Sequence, residues 1–299
     1  MLLSATLVWP VLAAKVYRWT DRNGVVHFGD RPPAGVAADG VSVIPVRAEP
    51  GAVARLRVEA DGVHYLAYAD NALAGPIEVL LDAGAGDTVL AEPSLPARAT
   101  VPARGSVLVS RIGAASPARG GQFQLQLRSV PGDPSARPRD VEYAYPLQTA
   151  TLRVEQGYGG RFSHTDAQNR HAVDLAAPIG TAVLAAREGV VMQVESDFDK
   201  ASLNREKYGG RANFVRIVHD DATMAVYAHL KPEGVLVRVG QRVRRGQTSG
   251  LSGSTGFSGG PHLHFVVQVN RGMKLESIPF RMFGPQGILR LSEPRADAR

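Results

Sequence analysis

From Gly260 to Val269 the chain reads GPHLHFVVQV, and this stretch constrains the fold more than any other. Successive side chains of a strand point to opposite faces. His262, His264, Val266 and Gln268 therefore share one face, and Leu263, Phe265, Val267 and Val269 the other. A strand with one wholly apolar face belongs to a sheet packed on a core. Its other face carries two imidazoles side by side, within reach of one ion or one reacting water. Ser252 to Gly260 (SGSTGFSGG) forms a glycine-rich approach that can bring backbone close to a ligand. A His-x-His pair alone also occurs on surface strands, so the rest of the chain must decide its meaning.

Six of the eight histidines fall between His164 and His264. In RHAVDLAAPIGTAVLAAREGVV, from Arg170 to Val191, Asp174 sits inside an apolar stretch. An unpaired carboxylate is costly there, and a metal ion, a basic partner or local turn hydrogen bonds would each account for it. Pro178-Ile179-Gly180 reads as a turn, with strands expected at 181–186 and 189–191. In MAVYAHL, from Met224 to Leu230, alternation puts Tyr227 and His229 on one face and Val226, Ala228 and Leu230 on the other. These pieces supply imidazoles and a carboxylate on strand faces, which zinc accepts readily. A catalytic zinc keeps three protein ligands and an open position for water. No Ser-His-Asp order, Walker-type loop or HExxH helix competes with this reading.

The chain has 299 residues and no cysteine, which excludes a disulfide scaffold, thiolate zinc sites and a cysteine nucleophile. No apolar run reaches the roughly 18 residues of a membrane span. Gly 32 and Pro 20 point to many turns, as in an all-β protein. The net charge of +6 suits an anionic partner. Its positive residues are not gathered in a block with interleaved aromatics, so nucleic acid is not expected.

Residues 1–14 (MLLSATLVWPVLAA) read as a secretory signal, an apolar run ending in small residues. In residues 15–35, Val16 to Trp19 and Val25 to Phe28 flank an Asn23-Gly24 hairpin signal. This stretch resembles a small N-terminal module of unknown function found after the signal peptide in secreted proteobacterial proteins. Residues 36–50 are expected to be a linker. Residues 51–148 carry repeated short apolar runs, with the alternation of Phe123, Leu125 and Leu127 among them, and read as a β-sandwich-like domain without a catalytic constellation. Residues 149–285 form the histidine-bearing domain and 286–299 a tail. The fold class expected is mainly β throughout.

Residues 149–285 resemble the lysostaphin-like (LytM-type) zinc metallopeptidases of bacterial cell walls. The matching pieces are AVDLAAPIGTAVLAAREGVV, YAHL, VGQRVRRGQTSGLSGSTG and GPHLHF. The resemblance implies a small, open, mostly antiparallel sheet around a groove. It implies Asp174 and His264 as zinc ligands and His229 and His262 as the groups that assist catalysis. The commonest family spacing puts the third ligand four residues before the Asp, where this chain has Arg170, which has no free lone pair. His171 is an odd separation from Asp174, on the opposite face of a regular strand. His164, in Phe162-Ser163-His164, resembles the arrangement in one branch of the family and is the ligand preferred. Ser254 stands where the family commonly has Asn.

The function so implied is zinc-dependent hydrolysis of peptide cross-links between peptidoglycan stem peptides, in an exported, periplasmic protein without a membrane span in its mature form. The alternative is a catalytically silent LytM-type module that binds the wall and regulates another hydrolase, with an envelope protein as partner.

Overall fold

The structure is a computed structural model that describes the backbone of strands at 15–20, 26–29 and 41–45, and residues 52–84, 89–114, 124–208, 210–284 and 287–292. The signal expected at 1–14 lies outside the described residues, as do Phe123 and residues 293–299 of the tail. The chain falls into two compact units, Met1–Gly51 and Ala52–Arg299.

In the first unit, Lys15–Thr20 pairs antiparallel with Val26–Gly29, Thr20 opposite Val26, as the Asn-Gly signal implies. Its other edge pairs with Val41–Pro45. The stretch 36–50 is therefore more than a linker: its VSVIP run supplies the third strand of the sheet. Val41, Val43 and Ile44 are β-branched residues suited to a strand, but they make no strict apolar–polar alternation.

In the second unit, residues 54–131 form two small antiparallel sheets. One holds Ala54–Asp61, His64–Asn71, Ser106–Ala114 and Val89–Glu92; the other holds Leu125–Pro131, Ile77–Ala83 and Ala97–Val101. Ala67, Ala69, Ile77, Val79, Leu81 and Ile112 are all fully buried in the core they share. Leu125 and Leu127 pack on this core while Gln124 and Gln126 do not, the outcome of a period of two.

The large sheet that follows runs Val154–Gln156, Val173–Ala176, His262–Asn270, Met224–Val235, Asn213–Val218, Gly189–Glu195 and Arg242–Val243. The pairings along this path are antiparallel and the sheet does not close on itself. One face buries Val173, Leu175, Tyr227, Leu263, Phe265 and Val267. Those from His262–Asn270 are the apolar row read from the sequence. The other face is the floor of a groove, with a thin apolar layer of Val226 and Val266 flanked by Phe214 and Ala228.

Met224 lies two residues before Val226 and so on the groove face. Its side chain is buried in the core of the two small sheets, together with Met192. The small sheets thus cover one end of the groove face. Asn270 Nδ2 donates to the Gly132 carbonyl at this junction (3.1 Å), and the Met273 amide donates to Glu78 (2.6 Å). No helix among the described residues is long and apolar enough to cross a membrane.

Candidate metal centre

His262–Asn270 lies between Val173–Ala176 and Met224–Val235, and the register sets Asp174 opposite His264 and His264 opposite Ala228. Asp174 and His264 are thereby held on one face at neighbouring positions. Asp174 Oδ1 lies 2.9 Å from His264 Nδ1 and 3.3 Å from His164 Nε2. Candidate ligand atoms of His164, Asp174 and His264 all lie within 4.8 Å of one another. Three donors converge, two imidazoles and a carboxylate, and a divalent ion accepts both types.

His164 arrives from the loop after Val154–Gln156. The Gly157–Gly160 segment turns back so that the His164 amide donates to the Gly160 carbonyl (3.0 Å) and His164 Nδ1 donates to the Gly157 carbonyl (2.8 Å). A carbonyl only accepts, so Nδ1 carries the hydrogen. In the neutral ring Nε2 then presents its lone pair to a carboxylate, acceptor to acceptor. Only a cation between them resolves this, a proton or a metal ion. His164 is fully buried, and a metal ion would serve its Nε2 lone pair, Asp174 and His264 at once. The residues present therefore fit a divalent metal.

Asp174 is buried, which opposes its charge, but the facing imidazoles of His164 and His264 outweigh this and hold its carboxyl well below the usual range. Its second oxygen accepts from Gln156 Nε2 (3.0 Å). Gln156 was not singled out from the sequence. Val154–Gln156 pairs with Val173–Ala176 through a register shift that sets Gln156 opposite Asp174, and no local motif announces that pairing.

His229 corrects the sequence reading. Alternation places it with Tyr227, yet Tyr227 is buried in the core, its hydroxyl accepting from the Ala186 amide (2.7 Å). Opposite this segment, Asn213 pairs with Leu230 and Phe214 with Ala228, so His229 is an extra, bulged residue. Its φ is 63°, in the left-handed region that costs a non-glycine residue about 1 kcal/mol or more. The bulge returns His229 to the groove face beside Ala228. There its ring lies 4.7 Å from that of His262 and 5.7 Å from that of His264.

His229 Nδ1 donates to the Thr255 carbonyl (2.7 Å) and His262 Nδ1 to the Gly260 carbonyl (2.9 Å). Both rings so turn Nε2 away from these carbonyls, and His262 Nε2 lies 3.7 Å from Asp174. Burial is the main force that lowers His229 to about 3, so it stands neutral near pH 7 with a lone pair to offer. The two carbonyls belong to the glycine-rich loop. Its glycines serve backbone packing: a Cβ at Gly253 would strike the Lys231 backbone, and one at Gly256 the Arg211 carbonyl.

The other candidates lie elsewhere. His171 donates through Nδ1 to the Ser277 carbonyl (2.9 Å) and packs edge-on against Tyr158, outside the cluster. Arg170 is exposed. Ser254 meets the Ser258 hydroxyl (3.0 Å) within the loop. His219 is buried against Tyr143 and does not line the groove, with Nδ1 donating to the Glu188 carbonyl (2.7 Å).

The groove has a volume of about 510 Å³ on the side running toward Val266 and Gln268. A second lobe of about 620 Å³ runs past Arg153 and Pro178. Phe162, Asp174 and His262 line both lobes, so the cluster sits where they meet. Phe162 stacks on Phe257 above this junction, ring centroids 5.4 Å apart.

The sequence model of peptidase family M23 matches residues 168–275, and that of the domain of unknown function DUF4124 matches residues 1–55. The chain is 41% identical over 128 residues to the peptidoglycan DD-endopeptidase ShyA of Vibrio cholerae, covering 42% of this chain and 26% of that protein. It is 33% identical over 114 residues to the glycyl-glycine endopeptidase ALE-1 of Staphylococcus capitis, covering 38% of this chain and 28% of that one. Among solved structures, the catalytic domain of lysostaphin from Staphylococcus simulans aligns at 34% identity and a TM-score of 0.30, over 40% of this chain and 81% of that one. The chain spans about a quarter of the length of these two curated relatives.

Proposed function

We propose that this chain, which carries a peptidase family M23 domain over residues 168–275, is an exported zinc endopeptidase that hydrolyses peptide cross-links of peptidoglycan. The observation that carries the reading is the convergence of His164, Asp174 and His264 at the meeting point of two open groove lobes. A buried structural ion would not need an approach from two sides. An extended peptide does.

In this reading His164, Asp174 and His264 would hold the ion. A zinc ion held by three protein ligands polarises a scissile carbonyl and lowers the pKa of water to about 7. Every further role falls to the chain. His229, neutral and with Nε2 free, accepts the proton of the attacking water and returns it to the leaving amine. His262, its Nδ1 hydrogen committed to the Gly260 carbonyl, offers its Nε2 lone pair and orients the attacking water. Gln156 orients Asp174.

The substrate class follows from the relatives, whose names give peptidoglycan or glycyl-glycine endopeptidase activity, and from the basic net charge of +6, suited to an anionic polymer. The DUF4124 match over residues 1–55 supports export and a periplasmic location. We assign residues 51–148 and 149–285 as separate functional parts, the first shaping the groove's end and the second carrying the chemistry.

Digestion of purified cross-linked peptidoglycan, with products read by mass, tests the reading. Loss of cross-linked dimers that a chelator prevents and zinc restores is the expected result. Intact dimers after incubation with folded, zinc-loaded protein would overturn it.

A further inference from the structure

Arg216 lies on the floor of the groove, in a strand whose neighbours Val215 and Ile217 are core residues. It is only 9% exposed. A guanidinium so buried is expected to meet a carboxylate, because an uncompensated buried charge is costly. None pairs with it among the described residues. Its Nη1 donates to Gln268 Oε1 (2.8 Å), and its Nε has no partner. Burial pushes the guanidinium down to about 10, with no opposing influence from an acid.

The surroundings hold this cation in place without neutralising it. Gln268 Nε2 donates to the Gln168 carbonyl (3.0 Å), which fixes the amide with its oxygen toward Arg216. Asp166, the acid on the adjoining loop, accepts from Gln168 and Asn169 instead. Arg216 stands opposite Val226, which stands opposite Val266, in the same row of the floor. The next row, Val218 and Met224, packs into the core of the small sheets. Arg216 thus occupies the last open row before the groove is covered.

We propose that Arg216 is a specificity residue that binds a free carboxylate of the peptide lying in the groove, with Gln268 as its positioning residue. The proposal rests on the peptidase reading for the identity of the peptide. The row of Arg216 is that of Val266, two residues along its strand from His264 and two strands across the sheet, about 7 Å along the strands and about 10 Å across them. The carboxylate therefore sits about 12 Å, three to four residues' length, from the bond that is cut. The Nη2 group and the second hydrogen of Nη1 are uncommitted among the described residues, and two such Nη groups of a planar guanidinium match a carboxylate in two parallel hydrogen bonds. The covered end behind it favours a group at the end of a peptide branch over the middle of a long chain.

The test compares a cross-linked stem-peptide dimer with the same dimer whose carboxylates are converted to carboxamides, in the zinc-loaded full chain. Wild type is expected to favour the carboxylate form by at least tenfold in kcat/KM, mostly through KM. Arg216→Gln is expected to bring the two peptides within about twofold, and Arg216→Lys to restore part of the preference. Equal kcat/KM for the two peptides in wild type, a comparison that requires no variant to fold, would overturn the proposal. So would an undiminished preference in Arg216→Gln. If neither peptide is cleaved, the peptidase reading fails and calorimetric binding of the two peptides decides Arg216: tighter binding of the carboxylate form supports it, and equal binding overturns it.

Discussion

His164 and Asp174 face each other with Nε2 3.3 Å from Oδ1, while the only hydrogen of the neutral imidazole is committed to the Gly157 carbonyl 2.8 Å away on the other side of the ring. Two acceptors brought this close in a buried site require a cation. Metal binding and folding stability are therefore linked. Saturating zinc is expected to raise the unfolding free energy, by about 2.7 kcal/mol at a hundredfold excess over Kd. His164→Ala and His264→Ala should abolish that gain. Calorimetric melting with zinc and with chelator checks this, and identical melting temperatures would tell against a metal at the cluster.

Gln156 touches no proposed ion; it donates to the far oxygen of Asp174 and to Ser163 Oγ, and accepts from the Phe162 amide, beside His164. Partners of that kind orient a ligand, and their loss costs about 10–100-fold in metal affinity. Gln156→Leu should therefore weaken zinc binding by that factor and leave the protein folded. Competition against a chromophoric chelator measures it; unchanged affinity would remove Gln156 from the site.

Asparagine tolerates the left-handed backbone that His229 adopts at φ 63°. His229→Asn should keep the bulge and the bound zinc while lowering kcat by about 10²–10⁴-fold, the range for loss of a general base. Zinc content and turnover, measured on one preparation, separate this from collapse of the site. Retained turnover would assign the proton transfer elsewhere.

His219 links stability to pH. Its Nδ1 donates to the Glu188 carbonyl and its Nε2 is buried without a partner. Burial, chiefly, lowers it to about 4, with Arg187 pushing the same way and Asp221 and Glu188 opposing. The unfolded chain takes up the proton near pH 6.5, the folded chain only near 4. The stabilising contribution is thus full above pH 6.5 and is lost as pH falls toward 4, on the order of 3 kcal/mol in all. Denaturant midpoints for wild type and His219→Asn, which keeps the donor to Glu188, should converge toward pH 4. Parallel curves would refute the assignment.

How much of this was legible depends on whether local rules governed each residue. The two faces of His262–Asn270 follow from strict alternation, and so does the burial of Leu263, Phe265 and Val267. The convergence of His164 with Asp174 does not: it depends on a turn through Gly157 and Gly160 and on a register that only the folded sheet defines. Alternation failed at His229 because one extra residue resets the period. Gln156 and Arg216 gave no motif. An arginine within NFVRIV was visible as a charge in an apolar run, but its meaning lies in what surrounds it on two other strands. The third strand at Val41–Pro45 was hidden by the Gly, Ala and Pro residues on either side of it.

The bulge at His229 also changes which mutations are dangerous. Between Asn213 and Leu230 the groove's chemistry depends on counting residues as well as on their identity, since removing one would restore the regular alternation and swing an imidazole toward the core. Most substitutions on this hairpin alter one side chain. A single-codon deletion would silence the site with its histidine still encoded, so a reader comparing motifs alone would count a dead gene as a live one.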